Sequence, residues 1–167
     1  MATLNIIDNQ TFIKHDDYMT PKYAWDNIKQ YIPQDKVIWE SFYGDGESGT
    51  HLQQLGFNVI HEPVDFFDND LGDIIVSNPP FSKSKEIMKR LLVLDKPFII
   101  IFPCSKLCTR YFREWKNKNI QIIIPKSRIH FEKKIDGEIP NDWRNACYFD
   151  SFYYCYKMNL TNDIIWL

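Results

Sequence analysis

Apolar residues occur along this chain in short runs that alternate with segments of helical periodicity. A strand that is covered on both faces is apolar at every position, so the runs are typical of buried strands. They predict strands over 37–39, 57–60, 74–77, 97–102, 120–124 and 147–158. The segments between them predict helices over 20–32, 50–55, 82–94 and 110–118, the first with Thr20 as its N-cap and Pro21 as its first residue.

Strands that alternate with helices predict an α/β fold with a mostly parallel, twisted sheet. We expect about six to seven strands, helices on both faces, and one Rossmann-like domain over residues 1–167. An irregular arm over 1–19 precedes it, and 132–146 reads as a polar loop. The carboxyl ends of parallel strands share one edge of a sheet, so we expect residues after the strands to converge there.

Composition narrows the class of protein. No apolar run approaches the roughly 20 residues that cross a bilayer, and the first residues lack a basic region followed by an apolar stretch. We therefore expect a cytoplasmic protein without a membrane partner. The four cysteines form no C-x-x-C pair and the four histidines have no ligand spacing, so reduced thiols and no metal site are expected.

The overall charge of −2 conceals an asymmetry. Residues 1–80 hold four Lys and 13 Asp or Glu, for a net charge of −9, whereas residues 81–167 hold 16 Lys or Arg and nine Asp or Glu, for +7. A basic half of this kind indicates a polyanionic partner such as nucleic acid. The alternative is that solvated helix faces are basic without binding anything.

The segment Asn78–Phe81, with the sequence N-P-P-F, directly follows an apolar strand. Two consecutive prolines end the strand and remove two N–H donors, which leaves carbonyl groups as acceptors. The side-chain carbonyl of Asn78 and the backbone carbonyl of Pro79 could accept both N–H groups of an aromatic amine, and Phe81 offers a ring for stacking. A proline-capped turn without chemistry is the alternative.

The segment Gly44-Asp45-Gly46-Glu47-Ser48-Gly49 matches G-x-G-x-x-G after a strand, and Glu62 follows at the distance of a ribose-binding acid. A nicotinamide-dependent oxidoreductase is therefore an alternative. The acidic residues Glu40, Asp45 and Glu47 disfavour a pyrophosphate there, however, because like charges repel. They suit a cationic cofactor such as S-adenosylmethionine, which carries a sulfonium and an ammonium group.

These motifs, in this order, resemble those of S-adenosylmethionine-dependent N6-adenine methyltransferases, especially small phage- or virus-type DNA enzymes. Glu40 and Ser41 stand where that family has Asp and Pro, so the match is not complete. The resemblance implies catalysis by Asn78, Pro79, Pro80 and Phe81. It implies cofactor binding by Tyr18, Thr20, Pro21, Glu40, Phe42, Tyr43, Gly44, Asp45, Gly46, Ser48, Glu62, Asp65, Phe66 and Asn78.

Contacts to the target are assigned to Ser82, Lys83 and Lys85, which follow the motif, and to Arg128 and Phe131. For Phe131, a core position is equally consistent with the pattern. The segment between Gly46 and Asn78 is too short for an inserted target-recognition domain. It is also too short for a full helix plus a third strand in addition to the predicted elements. The 132–146 loop and the segment around Arg110, Arg113 and Lys116 are the remaining candidates for reading a target.

The function expected from the residues and the resemblance together is methyl transfer to adenine N6 in nucleic acid, with DNA favoured over RNA. Sequence specificity is expected to be short, or to depend on a partner subunit or a second copy of the chain. The alternatives are RNA adenine methylation, methylation of a protein glutamine amide, and a non-catalytic binding module with a methyltransferase fold.

Overall fold

The computed structural model describes residues 18–133 and 148–167. Seven strands form the main sheet: β2 (Val37–Trp39), β3 (Asn58–Ile60), β4 (Ile74–Ser77), β5 (Phe98–Pro103), β6 (Gln121–Ile124), β8 (Ser151–Tyr156) and β9 (Ile164–Trp166). A separate two-stranded sheet pairs β1 (Tyr18–Met19) with β7 (Glu132–Lys133). None of the helices in the described ranges is long and apolar enough to cross a membrane.

The main sheet has the strand order β3-β2-β4-β5-β8-β6-β9. The pairs β3/β2, β2/β4, β4/β5 and β6/β9 are parallel, whereas β8 runs antiparallel to both β5 and β6. The predicted α/β class, the mostly parallel Rossmann-like sheet and the strand number are confirmed. The chain leaves β2 towards β3 on one side and returns to β4 on the other, so the strand order reverses between β2 and β4.

The helices are α1 (Lys22–Asp26), α2 (Glu47–Gln54) and α3 (Ser84–Leu94), with 3-10 helices at Lys29–Tyr31, Phe81–Lys83, Cys104–Cys108 and Tyr111–Trp115. The predicted helix over 20–32 is therefore wrong in its extent, because it divides into α1 and one 3-10 turn. The predicted helix over 110–118 is a shorter 3-10 helix. The predicted helix over 50–55 begins three residues earlier, where Gly46 has a left-handed conformation and precedes α2.

The predicted N-cap of the first helix is also wrong. Pro21 occupies the capping position in an extended conformation, with φ −67° and ψ 148°, and no side chain caps the helix. Thr20 is buried, and its hydroxyl makes no capping hydrogen bond. Proline is suited to a helix start because it has no N–H to satisfy.

The apolar strands carry two clusters on opposite faces of the sheet. Along β5, Ile99 and Ile101 pack into the cluster that contains Ala24 and Leu52 from α1 and α2. The alternate residues of β5 pack with α3 and the 3-10 helix at Tyr111–Trp115, through Ile87, Leu91, Phe112 and Trp115. This two-sided burial explains why the strand sequences are apolar at nearly every position.

Three parts of the sequence-based interpretation differ from the structure or lie outside it. The strand β9 was not predicted, and the predicted strand over 147–158 is confirmed over Ser151–Tyr156. Glu132 and Lys133, predicted as part of a loop, form β7. The predicted arm up to residue 17, residues 134–146 of the predicted loop and Cys147 lie outside the described residues.

Candidate active site

The carboxyl ends of β2, β3, β4 and β5 lie at one edge of the sheet, because these four strands are parallel. The glycine loop follows β2, Glu62 follows β3 and Asn78 follows β4. The segment between β3 and β4 contains neither a helix nor a strand, which confirms that no third βα unit intervenes. The predicted convergence of the motifs on one edge is therefore confirmed.

A cavity of about 480 Å³ opens at this edge. This volume lies within the usual range of small-molecule sites. Its wall contains ten residues that the sequence assigned to a cofactor: Tyr18, Thr20, Phe42, Tyr43, Gly44, Asp45, Ser48, Asp65, Phe66 and Asn78. Pro80 and Lys83, which were assigned to catalysis and to the target, also line it.

The glycine loop forms one wall of the cavity through a tight turn. The N–H of Gly46 donates to the carbonyl of Tyr43 at 2.8 Å, and Gly44 and Gly46 have φ values of +58° and +82°. Asp45 Oδ1 accepts the N–H of Glu47 at 3.0 Å at the start of α2. Glycine avoids the strain that these left-handed conformations impose on other residues.

The third glycine of the motif, Gly49, permits α2 to pack closely against the end of β3. A Cβ atom on Gly49 would lie 2.2 Å from Cγ and 2.5 Å from Cβ of His61. The His61 ring in turn stacks on Tyr43, with ring centroids 5.9 Å apart. The motif is thus used here for helix–strand packing and for shaping the loop.

We expect Gly49→Ala to destabilise the fold, although alanine alone would favour a helix by about 1 kcal/mol. The clash involves His61 Cβ as well as its ring, so a side-chain rotation does not relieve it. Overpacking costs about 1–3 kcal/mol or more, and we expect a net loss of about 2 kcal/mol in the free energy of unfolding, measured with urea. Gln53→Ala, at an exposed position of the same helix, is the control, and an alanine variant at position 49 as stable as the wild type would contradict this packing.

Asn78 lines the cavity and carries an acceptor without a partner among the described residues. Its Nδ2 donates to the backbone carbonyl of Tyr18 at 3.1 Å, which defines the orientation of the amide. Its Oδ1 is buried and has no hydrogen-bond partner among the described residues. A buried carbonyl oxygen without a partner is costly, so a ligand that donates an N–H to it would be stabilised.

Two hydroxyl groups in the cavity wall share this property. Thr20 Oγ1 and Ser41 Oγ are buried, and neither has a hydrogen-bond partner within the described part of the chain. Together with Asn78 Oδ1, they supply two donors and one acceptor at the wall of a single cavity. This arrangement is typical of a binding site that is complete only when a polar ligand is present.

Glu40 lies behind the cavity wall rather than in it. It is fully buried and accepts a hydrogen bond from the hydroxyl of Ser77, the last residue of β4, while its Oε2 has no partner among residues 18–133 and 148–167. Burial raises the pKa of the Glu40 carboxyl to about 8, and the charge of Asp45 acts in the same direction. Glu40 therefore does not line the cavity, in contrast to the prediction. Its carboxyl instead connects the glycine loop to Ser77, the residue before Asn78.

Another part of the cavity wall is apolar and aromatic. It contains Val64, Phe66 and Phe67, and the Phe42 ring lies 4.7 Å from that of Phe66. Asp65 shapes this wall, because its Oδ1 accepts the N–H of Phe67 at 2.7 Å.

The structure contradicts one predicted target contact, Phe131, and shows a protein partner for another, Arg128. Phe131 is fully buried and packs against Phe149, with centroids 5.9 Å apart, so it is a core residue. Arg128 forms a double ion pair with Asp150, at 2.8 Å from Nε and 3.1 Å from the terminal nitrogen. Its guanidinium is thus engaged by a carboxylate, which competes with any phosphate.

Phe81 is half-buried in an aromatic cluster. Its ring lies 6.2 Å from Tyr18, 5.9 Å from Phe131 and 5.3 Å from Phe149. These contacts anchor the turn that carries Asn78. The remaining predicted site residues do not line the cavity, and they are Pro21, Gly46, Glu62, Pro79, Ser82 and Lys85.

Four residues of the cavity wall were not assigned from the sequence: Met19, Ser41, Val64 and Phe67. Each of the four is adjacent to an assigned residue, so widening the motifs by one position would have included all of them. Met19 reaches the site because β1 pairs with β7, which places its Sδ 3.4 Å from the position of a Cβ on Gly44. No local signal in the sequence indicates that pairing.

No protein-family model matches this sequence, and no curated protein matches it significantly. Among solved structures, the chain is similar to a protein of Listeria monocytogenes that is provisionally described as a class I S-adenosylmethionine-dependent methyltransferase. The two share 12% sequence identity with a TM-score of 0.44, and the match covers 90% of this chain. This chain spans 65% of the length of that protein, and so distant a similarity does not define a function.

Proposed function

We propose that this chain transfers a methyl group from S-adenosylmethionine to the N6 amino group of adenine in a nucleic acid, with DNA favoured over RNA. The observation that carries the proposal is the buried, unpartnered Oδ1 of Asn78 in the cavity wall. It belongs to a turn, N-P-P-F, whose sequence suits the recognition of a planar amine.

The chemistry expected of this turn follows from the low nucleophilicity of an aromatic amine. The lone pair of such an amine is delocalised into the ring and is a poor nucleophile. Asn78 Oδ1 and the carbonyl oxygen of Pro79 would accept hydrogen bonds from the two N–H groups of the amine and favour a pyramidal nitrogen. The gain would come from positioning and electrostatic complementarity rather than from a dedicated base.

The cavity residues fit S-adenosylmethionine. Thr20 and Ser41 provide unpartnered hydroxyl donors for a carboxylate, Asp45 and Asp65 provide negative charge for cationic and hydroxyl groups, and Phe66 provides an apolar surface for a purine. When bound, this cofactor supplies an electrophilic methyl group on a sulfonium. The protein residues would hold it beside the Asn78 turn and exclude water.

The charge distribution supports a nucleic acid as the methyl acceptor. Residues 81–118, which form the layer of α3 and the 3-10 helices after β5, carry ten Lys or Arg and three Asp or Glu. Residues 20–56, which include α1 and α2 on the other face, carry three Lys and five Asp or Glu. The basic layer adjoins the cavity through Lys83 and would attract phosphates. In a duplex, the adenine would have to leave the base stack.

The test is transfer of a radiolabelled methyl group from S-adenosylmethionine to DNA, RNA and a protein mixture, measured side by side. The expected result is label in N6-methyladenine of DNA, with less in RNA. Label in protein glutamine, or no transfer to any acceptor while S-adenosylmethionine still binds, would contradict the proposal. We also expect short sequence specificity, or a requirement for a partner subunit, because no separate target-recognition unit lies between Gly46 and Asn78.

A further inference from the structure

An exposed aromatic residue lies close to the Asn78 turn. Tyr148 is 84% exposed, whereas its neighbour Phe149 packs on Phe81, with centroids 5.3 Å apart, and on Tyr18 at 5.5 Å. The carbonyl of Asp150 accepts the N–H of Cys104 at 2.8 Å. Residues 148–150 therefore connect the turn after β4 with the 3-10 helix after β5, at the same edge as the cavity.

That 3-10 helix, Cys104–Cys108, carries a second exposed apolar side chain and a cation. Leu107 is 43% exposed, and Lys106 precedes it. Arg110 follows at an exposed position before the next 3-10 helix. This edge thus combines an exposed ring and an exposed aliphatic side chain with two cationic side chains.

The positive charge of the layer runs from this edge to the opposite one. Trp115 lies 5.4 Å from Phe98 and 5.1 Å from Tyr156, at the start of β5 and the end of β8, so Lys116 and Lys118 lie at the edge away from the cavity. The whole excess of positive charge in the second half of the chain is within residues 81–118, since residues 119–167 have six Lys or Arg and six Asp or Glu. Within this layer, Lys106 and Arg110 lie at the cavity edge, whereas Lys116 and Lys118 lie too far from it to contact nucleotides next to a base bound there.

We propose that Tyr148 and Leu107, with Lys106 and Arg110, form a surface that binds the unpaired nucleotides next to the target base. The inference rests on the proposed function for the identity of that base. Unpaired bases stack on aromatic side chains irrespective of sequence, and their phosphates require cations nearby. The excess of positive charge favours a nucleic acid strand over a neutral or basic partner on this surface.

The experiment measures the affinity of the full chain for a fluorescently labelled single-stranded DNA of mixed sequence, by anisotropy at several salt concentrations. Tyr148→Ala is expected to weaken binding about tenfold without changing the salt dependence, and Tyr148→Phe is expected to retain the affinity. The matched control is Trp166→Ala, since Trp166 is an exposed aromatic residue, 75% accessible, on the last strand of the sheet, β9, outside the proposed surface.

The cations are tested by two double variants that remove the same charge. Lys106→Ala with Arg110→Ala is expected to reduce the slope of log affinity against log salt by about 1.4, because each lost contact to a single strand contributes about 0.7. Lys116→Ala with Lys118→Ala should leave that slope unchanged. Equal effects of the two double variants, or equal effects of Tyr148→Ala and Trp166→Ala, would overturn the proposed surface, and so would an absence of binding by the wild type.

Methyl transfer assayed on the same proteins separates this inference from the proposed function. If the wild type binds DNA with the expected dependence on Tyr148, Lys106 and Arg110 but transfers no methyl group, the surface is supported and the proposed activity fails. If the wild type methylates DNA while these variants bind and methylate as it does, the activity is supported and the surface is overturned.

Discussion

Replacing Asn78 by alanine is expected to lower the rate of methyl transfer at saturating substrate by about 100- to 1,000-fold, the loss found when one preorganised hydrogen-bonding group is removed from an active site. The substitution removes the acceptor Oδ1 and also the hydrogen bond to Tyr18. Binding of S-adenosylmethionine, measured by calorimetry on the same protein, should weaken by less than about tenfold, because the other residues of the cavity wall remain.

The matched control is Asn58→Ala, which makes the same truncation at an exposed position at the amino end of β3. It should leave both the rate and cofactor binding unchanged. If Asn78→Ala instead abolished cofactor binding and left the rate of the residual bound enzyme intact, Asn78 would be a cofactor ligand rather than the residue that holds the amine. An Asn78→Ala enzyme with normal turnover would remove the basis of the proposed function.

Glu40→Gln is expected to change how stability depends on pH. Burial raises the pKa of the Glu40 carboxyl from 4.5 to about 8, so between these values the unfolded chain loses a proton that the folded protein keeps. The folded state binds more protons there, and the contribution of Glu40 to stability therefore falls as pH rises, by about 1.4 kcal/mol for each pH unit. It is fully present below pH 4.5 and lost once the pH exceeds about 8.

Glutamine does not titrate, so the variant should lack this slope. It retains an oxygen for the hydroxyl of Ser77 but places an amide N–H₂ where Oε2 has no partner, which adds an offset that is independent of pH. The measurement is the free energy of unfolding from denaturant curves between pH 5 and pH 8, with the exposed Glu62→Gln as control. Parallel curves for the wild type and Glu40→Gln would show that the buried carboxyl does not retain its proton.

Local patterns were sufficient for the strands and for the edge at which the site lies. Continuous apolar runs identify strands that are covered on both faces, and the order of strands and helices implies that most pairs are parallel. The motifs that follow β2, β3 and β4 must then meet at one edge. For this reason, ten of the predicted cofactor residues line the observed cavity.

Individual side-chain roles were less predictable, because they depend on partners that are distant in the sequence. Phe131 and Arg128 occur in a segment that resembles a target-binding element, but one is fully buried and the other is paired with Asp150. Glu40 occupies a cofactor position of the motif, yet its hydrogen-bond partner is Ser77, 37 residues later. Helix boundaries also shifted, because short helices depend on packing more than on local propensity.

The sequence by itself determined the α/β class, the glycine-containing turn and the position of the N-P-P-F segment after a central strand, since each depends on residues that are neighbours in the chain. Only the tertiary structure decided which polar atoms are left for a ligand. The carbonyl of Tyr18, 60 residues before Asn78, takes the amide N–H₂ and leaves Oδ1 as the acceptor. Such a choice depends on which groups folding brings within hydrogen-bond distance, and no local pattern encodes it.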